Sequence, residues 1–312
     1  MKPELSIVIP CYNEAENVRQ ICAAVTLEAE NHVASHEIIL IDNFSTDGTR
    51  DIMRDICSAD PRIRAILNNR NYGQMRSPTH GIYQANGAAV IGMCADFQDP
   101  PAMIGNFVEQ WRAGAQVVLA QRRSERTSWL LGAVRRAGYR FLGRYGDYPV
   151  IPGATGFGLF DREVVDQLAS WNEPEPFFRG MVVESGYRLA VLPFDRPERA
   201  AGDSKNDFAT LFSFALSGLA GSAKSLLRLP VMLSFWAGGL ALLMLVGALL
   251  GLLLGGPFWP LFGLGVGSAM FAVVLLFLGL MGEQLRLISE RTRGVPLVIE
   301  AERINFPAKA QA

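Results

Sequence analysis

A cluster of carboxylate and amide side chains near residue 96 is the part of the sequence best suited to ligand chemistry. Asp96, Gln98 and Asp99 follow an apolar run typical of a strand buried on both faces, and Pro100-Pro101 prevents that strand from continuing. Open α/β sheets bind ligands beyond the carboxyl ends of their strands, so the cluster is a candidate binding site. An ordinary polar turn, in which Asp99 and Pro100 cap the next helix, explains the same residues equally well.

Alternating strands and helices would position this cluster. Short apolar runs predict strands, and the segments between them predict helices; Asn13 with Glu16 resembles a capping box at the start of the first helix. The alternation predicts a mostly parallel, doubly wound α/β sheet. The predicted strands are 5–10, 37–41, 63–67, 88–94, 116–121, 153–160 and 188–194, and the predicted helices span 13–30, 49–57, 78–86, 101–113 and 161–171.

Composition excludes several classes of protein. The chain has 312 residues, 50% of them hydrophobic, and a formal net charge of −1, so we expect no nucleic-acid partner. Its four cysteines form no C-x-x-C pair and it has three histidines, which argues against a zinc site or a disulfide framework. A strand beginning at Leu5 leaves no room for a signal peptide, and we expect reduced thiols on the cytosolic side.

A long apolar stretch near the carboxyl terminus predicts a membrane anchor. Residues 229–282 include no charged residue, and Gly255-Gly256-Pro257 interrupts them. Each half is long enough to cross a hydrocarbon core of about 30 Å, so we predict transmembrane helices at 231–254 and 258–281. A buried helical hairpin in a soluble protein is the alternative. Basic residues flank both outer ends, which places those ends in the cytoplasm.

The predicted organisation has four parts. Residues 1–205 form an α/β domain on the cytoplasmic face of the inner (plasma) membrane, and 206–229 form an amphipathic helix along the bilayer surface. Residues 230–281 form the two-helix hairpin, and 282–312 form a cytoplasmic tail.

Four motifs in the α/β part occur in an order typical of one enzyme family. They are Leu-Ser-Ile-Val-Ile-Pro-Cys-Tyr-Asn-Glu at 5–14, the polar loop 42–48, Asn-Arg-Asn-Tyr-Gly at 69–73 and Ala-Asp-Phe-Gln-Asp-Pro-Pro at 95–101. Through them the chain resembles the family-two glycosyltransferases, whose GT-A fold is that of the nucleotide-diphospho-sugar transferases.

Later segments narrow the resemblance. Residues 121–123, 178–180 and 199–205, together with the two-span anchor, are similar to the polyprenyl-phosphate branch related to dolichyl-phosphate mannosyltransferase. This resemblance implies transfer of a glycosyl group from a UDP- or GDP-sugar to undecaprenyl or dolichyl phosphate by direct inverting displacement. It also implies a role in cell-envelope glycan biosynthesis.

The resemblance implies a donor site that binds a nucleotide and a metal ion. Asp96 would hold Mg²⁺ or Mn²⁺ on the donor diphosphate, with Gln98 as a second oxygen ligand, which suits the preference of these ions for hard oxygen atoms. Asp42 would contact the base. The residues that would bind the rest of the nucleotide are Pro10, Tyr12 and Glu14.

The resemblance also implies a site for the acceptor phosphate. Its ligands would be Arg122, Arg199, Ser204 and Lys205, because Arg and Lys form charge-assisted hydrogen bonds with phosphate. Asp96, Arg122 and Lys205 would carry the catalysis. A phosphate monoester is largely ionised near neutral pH, with a second pKa of about 6, so this reaction requires no general base.

The sequence departs from the family pattern at four places. Cys94 replaces the first carboxylate of the usual Asp-x-Asp, and Asn43-Phe44 replaces Asp-Gly after the second strand. Gln74 stands where Lys or His is usual, and 155–159 differs from the usual Gly-Asp-Phe-Arg-Leu. Two further hypotheses stay open: a transferase with a glycolipid or sugar-phosphate acceptor, and a catalytically silent homologue that binds a nucleotide-sugar. Related anchors associate in the bilayer, so a homo-oligomer is one expected assembly.

Overall fold

The computed structural model describes residues 2–123, 151, 153–195, 197 and 259–307. Within these residues, eight strands form one mixed sheet in the order β7-β5-β6-β4-β1-β2-β3-β8. The strands are β1 Leu5–Cys11, β2 His36–Asp42, β3 Ile63–Asn68, β4 Ala89–Gly92, β5 Val117–Arg122, β6 Ala154–Asp161, β7 Leu189–Phe194 and β8 Glu300–Ile304. The helices are α1 Val18–His32, α2 Thr49–Ala59, α3 Gly73–Gln84, α4 Met103–Arg112, α5 Arg162–Ser170, α6 Phe178–Glu184 and α7 Trp259–Arg293.

The centre of the sheet is parallel, as the alternation of elements predicts. β1 pairs in parallel with β2 and with β4, and β2 pairs in parallel with β3. β6 runs antiparallel to both β4 and β5, while β5 and β7 are parallel to each other. The strands β1 to β5 therefore all direct their carboxyl ends to one edge of the sheet, which we call the carboxyl edge.

Helices cover both faces of the sheet. Along β1, Ile7 and Ile9 pack into one hydrophobic cluster and Val8 packs into the other, because successive residues of a strand point to opposite faces. The first cluster includes residues of α1, α2 and α4, and the second includes residues of α3, α5 and α6. This arrangement confirms the doubly wound prediction.

Two predicted helix starts are wrong. Asn13 does not cap α1, because its backbone has a φ of 56° and its side chain accepts a hydrogen bond from Thr46 N of the next loop; the helix begins at Val18. Helix α3 begins at Gly73 and has Pro78 inside it. The Asn71 side chain accepts a hydrogen bond from Gly73 N and fixes the start of the helix ahead of the proline.

The residues after α7 form an additional strand that the sequence does not predict. β8 pairs antiparallel with β3 at the edge of the sheet. Asn305 follows it and donates hydrogen bonds from Nδ2 to the carbonyl oxygens of Cys57 and Ile63, at 2.7 and 2.8 Å. Arg54 of α2 forms an ion pair with Glu302, with Nη2 2.7 Å from Oε2. The polar tail is thus part of the α/β domain.

Helix α7 continues beyond the predicted end at Met281. It runs through Glu283 and Arg286 to Arg293, because the sequence has no helix breaker until Gly294, which has a φ of 59° and ends the helix. None of the helices in the described parts of the chain meets the combined length and apolarity required of a membrane span. The predicted first span, at 231–254, and the predicted interfacial helix, at 206–229, lie outside the described residues.

Candidate active site

Loops from several strands meet at the carboxyl edge. In the register of the sheet, Cys11 at the end of β1 lies beside Asp42 at the end of β2, and Asp42 lies beside Leu67 of β3. The sheet therefore brings the predicted donor-site residues of β1 and β2 to the same edge as the turn after β4, which contains Asp96, and as Arg122 at the end of β5. Three predicted acceptor ligands, Arg199, Ser204 and Lys205, lie outside the described residues.

The loops after β1 and β2 are joined by hydrogen bonds between backbone and side chains. Asn13 N donates to Ser45 Oγ at 2.8 Å, and Glu14 N donates to Thr49 Oγ1 at 2.9 Å. The Glu14 carboxylate accepts a hydrogen bond from Asn17 Nδ2 at 2.8 Å. These bonds fix the backbone that carries Tyr12, whose side chain is 40% exposed.

Asp47 adds a third connection between these two loops. Its carboxylate accepts hydrogen bonds from Ala15 N and from the backbone and side chain of Thr49. Burial alone would raise the pKa of Asp47, but the hydrogen bonds from Thr49 and Ala15 outweigh it and lower the pKa overall. The carboxylate is therefore ionised at neutral pH and holds the loop in place.

Asp42 organises the loop that follows it. Its side chain is fully buried, and its oxygens accept hydrogen bonds from Phe44 N at 3.0 Å, Ser45 N at 3.1 Å and Arg50 Nε at 2.6 Å. Arg50 also donates to the carbonyl oxygen of Asn68 at 2.5 Å, so the Arg50 side chain connects the ends of β2 and β3. This geometry gives Asp42 a structural role, and its contact with a base stays a prediction.

Asn43 explains one departure from the family pattern. Its Nδ2 donates to Asn71 Oδ1 at 2.8 Å and to the carbonyl oxygen of Gly73 at 3.3 Å, while its Oδ1 accepts from Tyr72 N at 2.8 Å. An aspartate has no donor for the first two bonds. The amide therefore joins the loops after β2 and β3, a role that no spacing in the sequence indicates.

Phe44 is the second residue of the Asn43-Phe44 departure from the family pattern. Its φ is 71°, in the left-handed region where glycine is favoured, and such a conformation costs about 1–3 kcal/mol for other residues. The side chain is 42% exposed, and the guanidinium carbon of Arg50 lies 5.1 Å from the centre of its ring.

The turn after β4 carries the predicted metal ligands. Asp96 is buried, with 6% exposure, and its Oδ1 accepts a hydrogen bond from Gln98 N at 3.2 Å. Asp99 is also buried, and its Oδ2 accepts from Cys94 N at 2.8 Å, which closes the turn on itself. The N-cap position of α4 is Ala102, three residues after Asp99.

The donor set of this turn fits a divalent ion bound mainly through a ligand. Asp96 and Gln98 offer a carboxylate and an amide oxygen, and Mg²⁺ characteristically uses one or two carboxylates together with substrate phosphates. In the described part of the chain, no group of three or more His, Cys, Asp or Glu side chains is placed to hold a metal ion by itself. Cys94 is exposed and unoxidised beside the turn.

Arg122 is the last residue of β5 and reaches the carboxyl edge. It is partly buried, and its backbone N donates to the carbonyl oxygen of Gly153 at 3.1 Å. Gly153 has a φ of 76°, and a Cβ atom there would lie 3.1 Å from the carbonyl oxygen of Arg122. The backbone on either side of Arg122 is thereby tightly constrained.

One histidine and three cysteines have structural roles. His80 Nε2 lies 2.7 Å from Glu300 Oε1 of β8, so His80 connects α3 to the carboxyl-terminal strand. Cys11, Cys22 and Cys57 are buried and free. Burial raises the pKa of Cys22 to about 12 and that of Cys57 to about 11, so these thiols remain protonated.

Comparison with known proteins identifies the family of this fold. Residues 6–169 match the family model described as glycosyl transferase family 2. An uncharacterized glycosyltransferase of Synechocystis is 31% identical over 309 residues, which cover 97% of this chain and 96% of that protein. The bactoprenol glucosyl transferase of Shigella phage SfV is 31% identical over 217 residues, which cover 69% of this chain and 71% of that protein.

A solved structure shows a similar fold. Glucosyl-3-phosphoglycerate synthase from Mycobacterium tuberculosis, in complex with Mn²⁺, UDP and phosphoglyceric acid, superposes with a TM-score of 0.50 at 17% identity. The match covers 72% of this chain and 78% of the synthase, and it supports the GT-A α/β fold with its mostly parallel sheet.

Proposed function

The chain belongs to glycosyl transferase family 2 and is a glycosyltransferase, and on that premise we propose that it transfers a sugar from a nucleotide donor to polyprenyl phosphate. The observation that carries this proposal is the convergence, at one edge of the sheet, of the loops after β1 and β2, the Asp96 turn and Arg122. The relatives named bactoprenol glucosyl transferases support a polyprenyl phosphate acceptor, since bactoprenol is a polyprenol.

The donor nucleotide would occupy the loops after β1 and β2. Pro10, Tyr12 and Glu14 lie on the first of these loops, whose backbone is fixed by the side chains of Ser45 and Thr49. A rigid loop presents its contacts without a large loss of conformational entropy on binding.

Asp96 and Gln98 would hold Mg²⁺ or Mn²⁺ together with the donor diphosphate. The ion would supply charge neutralisation for the departing nucleoside diphosphate. Because Cys94 replaces the usual carboxylate, we expect the protein to bind the ion weakly before the donor arrives. Asp96 accepts a hydrogen bond from Gln98 N, so both proposed ligands belong to the same hydrogen-bonded turn.

The acceptor phosphate would be positioned by Arg122, Arg199, Ser204 and Lys205. Electrostatic stabilisation and positioning would supply most of the rate acceleration, because the phosphate monoester is already ionised and needs no proton acceptor. Attack on the side of the anomeric carbon opposite the nucleotide inverts its configuration.

We also propose that the chain is anchored in the inner membrane with its α/β domain in the cytoplasm. The uncharged stretch 229–282 and the basic residues outside it support this topology. A reporter fused at Ala312 should be cytoplasmic and one fused at Gly256 should not. Two reporters on the same side would contradict the predicted hairpin.

The test of the proposed function uses the full-length protein in membranes or detergent. UDP- and GDP-sugars are offered with undecaprenyl phosphate, with undecaprenol as the matched acceptor that lacks the phosphate, and nucleotide release is measured. We expect release that depends on the phosphorylated lipid. Release that is equal with both lipids would contradict the acceptor assignment.

A further inference from the structure

Phe44 has a backbone conformation that favours glycine, and burial of its ring does not offset the strain of that conformation. Two phenylalanines follow central strands with a positive φ: Phe44 after β2, at 71°, and Phe97 after β4, at 59°. Phe97 packs against the first hydrophobic cluster, which offsets its backbone strain. Phe44 belongs to neither cluster and is 42% exposed. A strained and exposed phenylalanine points to a role other than packing.

The position of Phe44 places it beside the proposed nucleotide site. Asn43 N donates to the carbonyl oxygen of Cys11 at 2.9 Å, so the loop carrying Phe44 continues the pairing of β1 with β2. Tyr12, the other large aromatic residue exposed on these two loops, follows Cys11 directly and is 40% exposed. Two exposed aromatic residues thus follow neighbouring strands at the carboxyl edge.

Asp42 and Arg50 restrain the orientation of Phe44. Its backbone N donates to Asp42, and Arg50, which is bonded to both Asp42 and Asn68, places its guanidinium 5.1 Å from the centre of the ring. Such cation–π contact holds one side of the ring and leaves part of the side chain accessible. A preorganised aromatic surface binds a planar ligand with little entropic cost.

We propose that Phe44 is a nucleobase-binding residue of the donor site and that its ring stacks on the base of the nucleotide-sugar. This inference rests on the proposed function. Stacking suits the site because the carboxylate of Asp42 is buried and already accepts bonds from Phe44 N, Ser45 N and Arg50. A stacked ring recognises the flat face of a base and not its hydrogen-bonding edge.

A stacking residue and a structural residue respond differently to substitution. Phe44→Gly removes the ring and also relieves the left-handed strain, so the melting temperature should stay equal or rise. The same change should weaken nucleotide binding about tenfold, in the range expected for the loss of one base–aromatic stack. If Phe44 served only the fold, Phe44→Gly would lower the melting temperature without this selective loss of nucleotide affinity.

The experiment measures binding of UDP, GDP and inorganic diphosphate to the full-length protein, with Mg²⁺, by calorimetry. The variants are Phe44→Gly, Phe44→Leu and Phe44→Trp, of which only the last keeps an aromatic face. Phe306→Leu is the matched control. Phe306 also lies against an arginine, with Arg303 4.5 Å from its ring. It follows Asn305, however, which bonds to the first residue of β3 and not to the carboxyl edge.

We expect about tenfold weaker nucleotide binding for Phe44→Gly and Phe44→Leu, near-normal binding for Phe44→Trp and Phe306→Leu, and unchanged binding of diphosphate in every variant. Normal nucleotide affinity in Phe44→Gly would overturn the inference and leave the proposed function intact. An equal loss of diphosphate affinity would also overturn it, because the whole loop would then have moved. If the unaltered protein binds neither nucleotide, the proposed function fails and the inference fails with it.

Discussion

The carboxyl edge and the carboxyl-terminal segment, residues 295–306, both carry polar side chains, but they use them in opposite ways. At the carboxyl edge, Asn13, Phe44 and Phe97 adopt positive φ values after β1, β2 and β4, and two aromatic side chains are exposed there. In the carboxyl-terminal segment, Glu300 and Glu302 form ion pairs with residues of α2, α3 and β8 itself. The first region leaves Phe44 strained and exposed, whereas the ion pairs of the second stabilise the fold.

The two regions are connected through the loop after β3. Asn69 N donates to the carbonyl oxygen of Ile299 at 3.1 Å, and Arg76 Nη2 donates to that of Pro296 at 3.0 Å. Asn71, in the same loop, accepts the bond from Asn43. We therefore expect that changes to the carboxyl-edge side chains proposed to contact substrates reduce activity and spare the fold, whereas changes in the carboxyl-terminal segment do the reverse.

The largest effect is expected at Asp96. Asp96→Asn should lower nucleotide-sugar turnover by about a hundredfold or more, because it removes the charge that we propose to stabilise the leaving group. The unfolding midpoint should change little. Asp55→Asn is the matched control, since that side chain is 74% exposed and its nearest cation, Arg19, is 3.7 Å away. Equal turnover in the two variants would show that Asp96 does not act in the active site.

The next effect concerns the acceptor. Arg122→Ala should raise the Michaelis constant for undecaprenyl phosphate about tenfold or more, since one charge-assisted hydrogen bond contributes about 1.5–3 kcal/mol. The affinity for the nucleotide-sugar should stay nearly constant. Lys205→Ala is expected to behave alike. Steady-state kinetics with each substrate varied in turn measures both constants. A loss of affinity for both substrates would contradict this division of roles.

The third effect tests the structural part of the carboxyl edge. Asn43→Asp restores the residue that the family usually has, yet it should destabilise the protein by about 1–3 kcal/mol, because the bonds to Asn71 and Gly73 lose their donor. Urea unfolding measures the change, with Asn31→Asp, at an exposed position of α1, as the control. Unchanged stability would mean that Asn43 does not join the two loops in solution.

The smallest effect is expected in the carboxyl-terminal segment. Burial alone would raise the pKa of Glu300, but hydrogen bonds from His80 and Arg303 outweigh it and lower the pKa to about 2. Its ion pairs therefore stabilise the folded state fully above the ordinary glutamate pKa of about 4.5, and this contribution is lost as the pH falls towards 2.

Glu300→Gln should accordingly cost about 1–2 kcal/mol at pH 7 and leave turnover within about twofold. The difference in unfolding free energy between the variant and the unaltered protein should shrink between pH 5 and pH 3. A difference that is constant over this range would show that the carboxylate charge does not contribute. A large loss of turnover would break the division between the two regions.

The sequence predicts the central sheet well because its strands are buried on both faces. β1, β2 and β3 read as continuous apolar runs, and the polar residues that follow them mark the carboxyl edge. The sequence does not predict β8, because its residues, Glu-Ala-Glu-Arg-Ile, are mostly polar and do not have the pattern of a buried strand. It becomes a strand only because β3 offers an unpaired edge.

The candidate site is predictable as a set of positions but not as a set of contacts. Strand ends place Asp42 and Asp96 at one edge, as the sequence indicates. No pattern shows that Arg50 bonds to both Asp42 and Asn68, or that Asn43 bonds to the loop after β3. Such contacts depend on the distance between loops that are far apart in sequence.

The most direct test of the central claim is the mass of the lipid product. Full-length protein is incubated with undecaprenyl phosphate, a nucleotide-sugar and Mg²⁺ or Mn²⁺, and the lipid fraction is analysed by mass spectrometry. We expect a lipid phosphate heavier by one glycosyl residue, formed by the unaltered protein and by Glu300→Gln, and strongly reduced in Asp96→Asn. Unmodified lipid phosphate with every UDP- and GDP-sugar, or equal product from Asp96→Asn, would contradict the central claim.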